Sequence, residues 1–184
     1  MIINIRSTHG GGKSTIVKQL MEKFNAEPLQ APTDKKPQGY VMKTPYGELR
    51  VVGSYETACG GCDGIQPYDL IWPRVELYAE HGHVIFEGAL ISSSYGNIGR
   101  ASEKYGNDFV FCFLNTPLDI CLDRIKKRRA AKGNEKPLDP KNTKVKFDQV
   151  EKQYERFRDE FKRRTVMLDY RKPLPTLLGL LKNG

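Results

Sequence analysis

Ser7-Thr8-His9-Gly10-Gly11-Gly12-Lys13-Ser14-Thr15 follows the short apolar run Ile2-Ile3-Asn4-Ile5 and precedes a helical pattern carrying Ile16, Val17, Leu20, Met21 and Phe24. Strand, glycine loop, lysine, hydroxyl and helix in that order spell a phosphate-binding P-loop. Glycines let the backbone curl until several N–H groups face one anion, and the helix N-terminus adds its partial positive charge. His9, Gly10, Gly11, Gly12, Lys13, Ser14 and Thr15 are therefore the expected ATP-binding residues. Lys13 would reach the β- and γ-phosphates, and the Ser14 hydroxyl would bind Mg²⁺. Ser7 stands where the pattern G-x-x-x-x-G-K-[ST] has its first glycine, a small residue that the turn tolerates.

The 184 residues are enough for one domain with a real core, and at 39% hydrophobic the chain is globular rather than disordered. No apolar run approaches the roughly 20 residues needed to span a membrane. The chain enters its first strand at once, which leaves no room for a signal peptide. With four cysteines and no secretion signal, the expected setting is a reducing cytoplasm. The net charge of +8 is uneven: residues 124–172 hold 18 Lys and Arg against 8 Asp and Glu. That surplus suits a polyanion, either nucleotide phosphates or a nucleic-acid backbone. The plainer reading is a solvated helix surface laced with ion pairs.

Outward from the glycine loop, helices are expected over Lys13–Asn25, Tyr68–Glu80, Pro117–Ala131, Lys144–Arg163 and Leu174–Leu181. Asn115-Thr116-Pro117 reads as the cap of the third of these. Tyr40–Lys43 and Glu48–Val52 flank a hairpin turn, and the second arm is free to join a main sheet. His83–Gly88, Asp108–Leu114 and Thr165–Leu168 read as strands, the first two nearly all apolar, as buried parallel strands are. Residues 27–39, rich in proline, read as a surface loop. Strands alternating with helices predict a three-layer α/β fold, a mostly parallel five-stranded sheet covered on both faces.

Glu87 ends an apolar strand of the kind that lies beside a P-loop strand. An acid there can hold Mg²⁺ and can accept a proton from an attacking hydroxyl. Arg124 and Arg128, four apart and so on one helical face, could clamp the moving phosphoryl group. The polar segment 132–143 would be a lid that shuts out water. The glycine-rich loop 53–64 sits at a strand's C-terminal end, where ligands bind in such sheets. In it Tyr55, Glu56 and Asp63 are candidate acceptor-binding residues, joined by Ser92 from the serine-rich stretch after Glu87. Cys59-x-x-Cys62 with His81-x-His83 could instead supply zinc ligands, if the two halves met.

Ser7–Thr15, the strand ending Glu87-Gly88, and Leu114-Asn115-Thr116-Pro117 running into a helix with Arg124 and Arg128 resemble thymidylate-kinase-like P-loop kinases. True thymidylate kinases follow this third strand with an Asp-Arg pair, whereas this chain reads Phe86-Glu87-Gly88-Ala89-Leu90-Ile91-Ser92. That form is more similar to the phage 5-hydroxymethyluracil DNA kinases grouped beside them. The resemblance implies a phage origin and action in the host cytoplasm. It also implies an acceptor hydroxymethyl group on a modified base in DNA.

The expectation is an ATP- and Mg²⁺-dependent kinase in which Lys13, Glu87, Arg124 and Arg128 carry the chemistry. Its partner would be DNA holding a modified pyrimidine, or a free pyrimidine nucleotide. Two other classes stay open, a nucleotide-hydrolysing switch and a plain nucleic-acid-binding module. The chain has no N-K-x-D guanine-reading motif and no helix-turn-helix signature.

Overall fold

The computed structural model describes residues 1–57, 60–88, 99, 102–134 and 136–184. Its strands are β1 (Ile2–Arg6), β2 (Glu27–Leu29), β3 (Gly39–Thr44), β4 (Gly47–Val52), β5 (His83–Glu87), β6 (Phe109–Leu114) and β7 (Thr165–Leu168). Its helices are α1 (Lys13–Lys23), α2 (Ile71–Ala79), α3 (Leu118–Ala130), α4 (Lys141–Phe161) and α5 (Pro173–Asn183). None of the described helices is long and apolar enough to cross a membrane.

The strands form one sheet in the order β2-β3-β4-β5-β1-β6-β7. The five from β4 to β7 run parallel. Neighbouring side chains on a strand point to opposite faces, so Ile2 and Ile3 enter different cores. On one face Ile3, Ile5, Ile85 and Cys112 pack with Val17 and Leu20 of α1 and Leu177 and Leu181 of α5. On the other, Phe86, Phe109, Phe111 and Phe113 pack with Val75 of α2 and Phe157 of α4. The result is the expected three layers.

Among the described residues the sheet has seven strands rather than five, because β3 and β2 extend it antiparallel beyond β4. Part of the expected 27–39 loop is therefore strand. Pro28 sits in the edge strand, where a missing N–H leaves no ladder partner unmet. The second helix begins at Ile71, and Pro73 lies in its first turn, where proline is tolerated. The third helix is capped differently from the expectation. Its N-cap is Pro117, without a side-chain bond. Asn115 Oδ1 instead accepts from the Tyr170 N–H at 2.9 Å, and Thr116 Oγ1 donates to the Gly11 carbonyl at 2.7 Å. Helix α4 starts at Lys141, so the last three positions of the expected lid form its first turn.

Candidate active site

Strand β1 lies between β5 and β6, so the glycine loop after it emerges at the C-terminal ends of the parallel strands. Gly10 and Gly12 have φ of 74° and 101°, in the left-handed region. A Cβ at Gly10 would strike the Cys121 carbonyl of α3, and one at Gly11 would strike Ser7 Oγ. Ser7, at the unorthodox position of the motif, thus fills space that Gly11 must leave open. Lys13 Nζ donates to the carbonyls of Ser7 at 3.1 Å and Thr8 at 3.3 Å. Arg124 Nη1 donates to the carbonyls of Gly10 at 3.4 Å and Gly11 at 3.3 Å. Lysine and arginine therefore hold different carbonyls of the same loop.

Glu87 closes the floor of the site. It is 2% exposed, and its Oε1 accepts the Ser14 hydroxyl at 2.7 Å. Burial raises its pKa, and Asp63 adds to the rise, while Lys13 and the Ser14 hydrogen bond pull the other way. Gly61 lies close to the same carboxylate. Gly61 N–H donates to the Ser54 carbonyl at 3.1 Å, and with φ of 92° a Cβ there would meet the Glu87 carboxyl group. The His9 pKa is lowered by burial first, then by Lys13, Lys146 and Arg128 against the opposing pull of Asp63.

A cleft of about 810 Å³ brings His9 to Thr15 together with Asp63, Glu87, Arg124 and Arg128. The four candidate catalytic residues therefore share one space. The candidate acceptor residues do not. Asp63 lines the cleft and is exposed. Tyr55 is buried, with its ring where a Cβ on Gly60 would go, and its hydroxyl has no hydrogen-bond partner among the described residues. Glu56 accepts the Tyr40 hydroxyl at 2.6 Å and faces a separate groove with Lys35 and Lys36. Ser92 and Cys59 lie outside the described residues.

Of the residues in the zinc reading, Cys62 and His83 lie at opposite ends of β5. His83 begins β5, where its ring meets the Met1 amino group at 3.3 Å and the Tyr46 carbonyl at 3.0 Å. Cys62 sits by Glu87 at the strand's other end, buried, and burial drives its thiol pKa well up. Some of the basic surplus is spent in exposed pairs such as Lys127–Asp123 and Lys144–Asp148, the plainer reading of that segment.

Sequence reasoning missed Tyr170 and Arg171, which also line the cleft. The Arg124 guanidinium lies 5.7 Å from the Tyr170 ring centroid, and Arg171 Nε donates to the Tyr170 hydroxyl at 3.2 Å. Their signal was position: they follow β7 directly, at the C-terminal end of a parallel strand.

No family model matches the chain. It is 43% identical over 156 residues to the 5-hmdU DNA kinase of Pseudomonas phage PaMx11, covering 81% of this chain and 80% of that one. It is 30% identical over 139 residues to the 5-hmdU DNA kinase of Pseudomonas phage M6, covering 71% and 73%. Among solved structures, a deoxyadenosine kinase from M. mycoides with the products dCMP and a flexible dCDP bound aligns over 100% of this chain and 97% of that one. Its sequence identity is 16% and its TM-score 0.48. The chain is a kinase and belongs to the family of phage 5-hmdU DNA kinases.

Proposed function

We propose that this kinase transfers the γ-phosphoryl group of ATP to the hydroxymethyl oxygen of 5-hydroxymethyluracil within DNA. The observation that carries the chemistry is the hydrogen-bonded Ser14–Glu87 pair in the same cleft as Lys13. The relatives' shared name supports the acceptor.

The P-loop amides and Lys13 bind the donor phosphates, and Arg124 and Arg128 face the transferring group. The ring of Tyr170 beside Arg124 offers the donor base a stacking surface. The hydroxyl of Ser14 and the carboxylate of Glu87 are hard oxygen donors 2.7 Å apart, a donor set that fits Mg²⁺. When bound there, Mg²⁺ would neutralise charge on the phosphates. Among the described residues only Ser14 hydrogen-bonds the Glu87 side chain, through Oε1, which leaves Oε2 for the acceptor's proton. In the transfer, the acceptor oxygen bonds to the γ-phosphorus, and the bond from phosphorus to the bridging oxygen breaks. Its electron pair leaves on ADP, and the acceptor's proton passes to Glu87. Asp63, across the cleft, orients the acceptor hydroxyl. A base in a duplex has to be flipped out to reach this depth. Residues 132–140 close over it and keep water away, so that ATP is not hydrolysed.

Label transfer from γ-³²P-ATP tests the reading. The acceptors are DNA with and without 5-hydroxymethyluracil, dTMP, other monophosphates and nucleosides. Label should appear on the modified DNA alone. Label on a free monophosphate alone would replace the reading with ordinary nucleotide metabolism, and label released only as phosphate would leave a hydrolase.

A further inference from the structure

The first turns of α4 are docked on the P-loop. Thr8 Oγ1 donates to the Thr143 carbonyl at 3.3 Å, and both residues are buried. Farther along the helix, Arg6 Nη2 donates to Gln153 Oε1 at 2.9 Å. The Arg6 guanidinium, 1% exposed, lies 4.8 Å from the Phe157 ring centroid. The helix is thus pinned to the Arg6–Thr8 stretch at two points, one on each side of Lys146.

Lys146 is three residues after Thr143 and seven before Gln153, so all three share a helical stripe that faces the loop. Lys146 is half-buried, whereas Lys144 and Val145 beside it are exposed. Burial first, then repulsion by Arg6 and Lys13, lowers its pKa against the pull of Asp63, and His9 in turn feels its charge. Lys146 therefore lies on the α4 stretch pinned to Arg6–Thr8, within electrostatic reach of His9 and Lys13 on the glycine loop and of Asp63. Crowding another positive charge against Arg6 and Lys13 costs electrostatic energy in the folded protein. A multiply charged anion lying between them offsets that cost, and the group that develops such charge here is the phosphoryl group in transit.

We propose that Lys146 is a further catalytic residue, a cation that contacts the oxygens of the γ-phosphoryl group from the α4 side as it passes from donor to acceptor. The inference rests on the reading of the chain as a γ-phosphoryl transferase. Lys146 forms and breaks no covalent bond and keeps its protons throughout. The Thr8–Thr143 and Arg6–Gln153 bonds are what hold it in register with Lys13.

The test compares the full chain with Lys146→Met, Lys146→Arg and Lys152→Met, the last an exposed position on the same helix. Transfer to 5-hydroxymethyluracil DNA is followed at steady state, AMP-PNP binding by titration, and folding by melting temperature. Lys146→Met should lower kcat about 100-fold, as loss of one transition-state cation or donor does, with the AMP-PNP Kd and DNA KM within about threefold. Lys146→Arg should recover at least about a tenth of the wild-type kcat, since it keeps the charge but not the geometry. Lys152→Met should match the wild type. An unchanged kcat in Lys146→Met would overturn the proposal. So would a raised DNA KM at constant kcat, which would make Lys146 a DNA-backbone contact. If the wild type labels no DNA, the acceptor reading falls. Lys146 is then read on phosphoryl transfer to water, where the same drop supports it and equal rates overturn it.

Discussion

Ser14 Oγ donates to Glu87 Oε1 at 2.7 Å, joining the first turn of α1 to the end of β5 across 73 residues of sequence. The bond exists because β1 and β5 pair in parallel with Ile5 opposite Glu87, which sets the acid beside the loop that β1 feeds. Everything else in the cleft is arranged around that pair.

Burial raises the Glu87 pKa above its ordinary 4.5, so the folded chain binds this proton more tightly than the unfolded chain does. Its contribution to stability is present at acid pH and is lost as pH rises through the folded pKa. Glu87→Gln removes the titration. Its melting temperature relative to wild type should therefore improve from acid to neutral pH, while transfer falls by about 100-fold or more. A relative melting temperature that worsens over the same range would mean that Lys13 and Ser14 outweigh burial.

Ser7 and Gly11 compete for the same space. Gly11→Ala alone should weaken nucleotide binding and lower the melting temperature. Adding Ser7→Gly removes the hydroxymethyl group it strikes, and the double variant should recover part of both losses. A double-mutant cycle should show a coupling of about 0.5–3 kcal/mol. Simple additivity would mean that the collision is relieved by other movements.

Gly61 holds φ of 92° with its missing Cβ aimed at the Glu87 carboxylate. Gly61→Ala should cost about 1–3 kcal/mol for the backbone conformation, measured by urea unfolding. It should also lower kcat, because the carboxylate has to move. An alanine variant with wild-type kcat would show that the loop, not the carboxylate, gives way.

Tyr170 lines the cleft beside Arg124. Tyr170→Ala should raise the KM for ATP by the equivalent of about 1–3 kcal/mol, as loss of one base-stacking ring does. The kcat should stay within about threefold of wild type. If KM for DNA rises instead, the ring serves the acceptor.

Much of this was readable before folding. The β-branched run, the glycine loop and the 3.6-residue pattern after it are contiguous, so residues 2–24 declare themselves locally. Glu87, Arg124 and Arg128 come together in one cleft, and each ends or follows an apolar strand, a place that alternating strands and helices make predictable. Asn115 and Thr116 misled because capping is what those side chains do locally, whereas here Tyr170 and Gly11 claim them. Glu56 lies on the glycine-rich loop, but its bond from Tyr40 turns it to a separate groove, which no local spacing encodes.

Periodicity and turn chemistry by themselves determined the three-layer class, the phosphate loop and most helix bounds, because these depend on neighbours within one or two turns. The tertiary structure alone decided the order β4-β5-β1-β6-β7 and the antiparallel extension by β3 and β2. It also decided the Ser14–Glu87 bond, the placing of Tyr170, and the docking of α4 against the loop. Each of these depends on strand register and on a helix returning from far along the chain, and no local spacing encodes either.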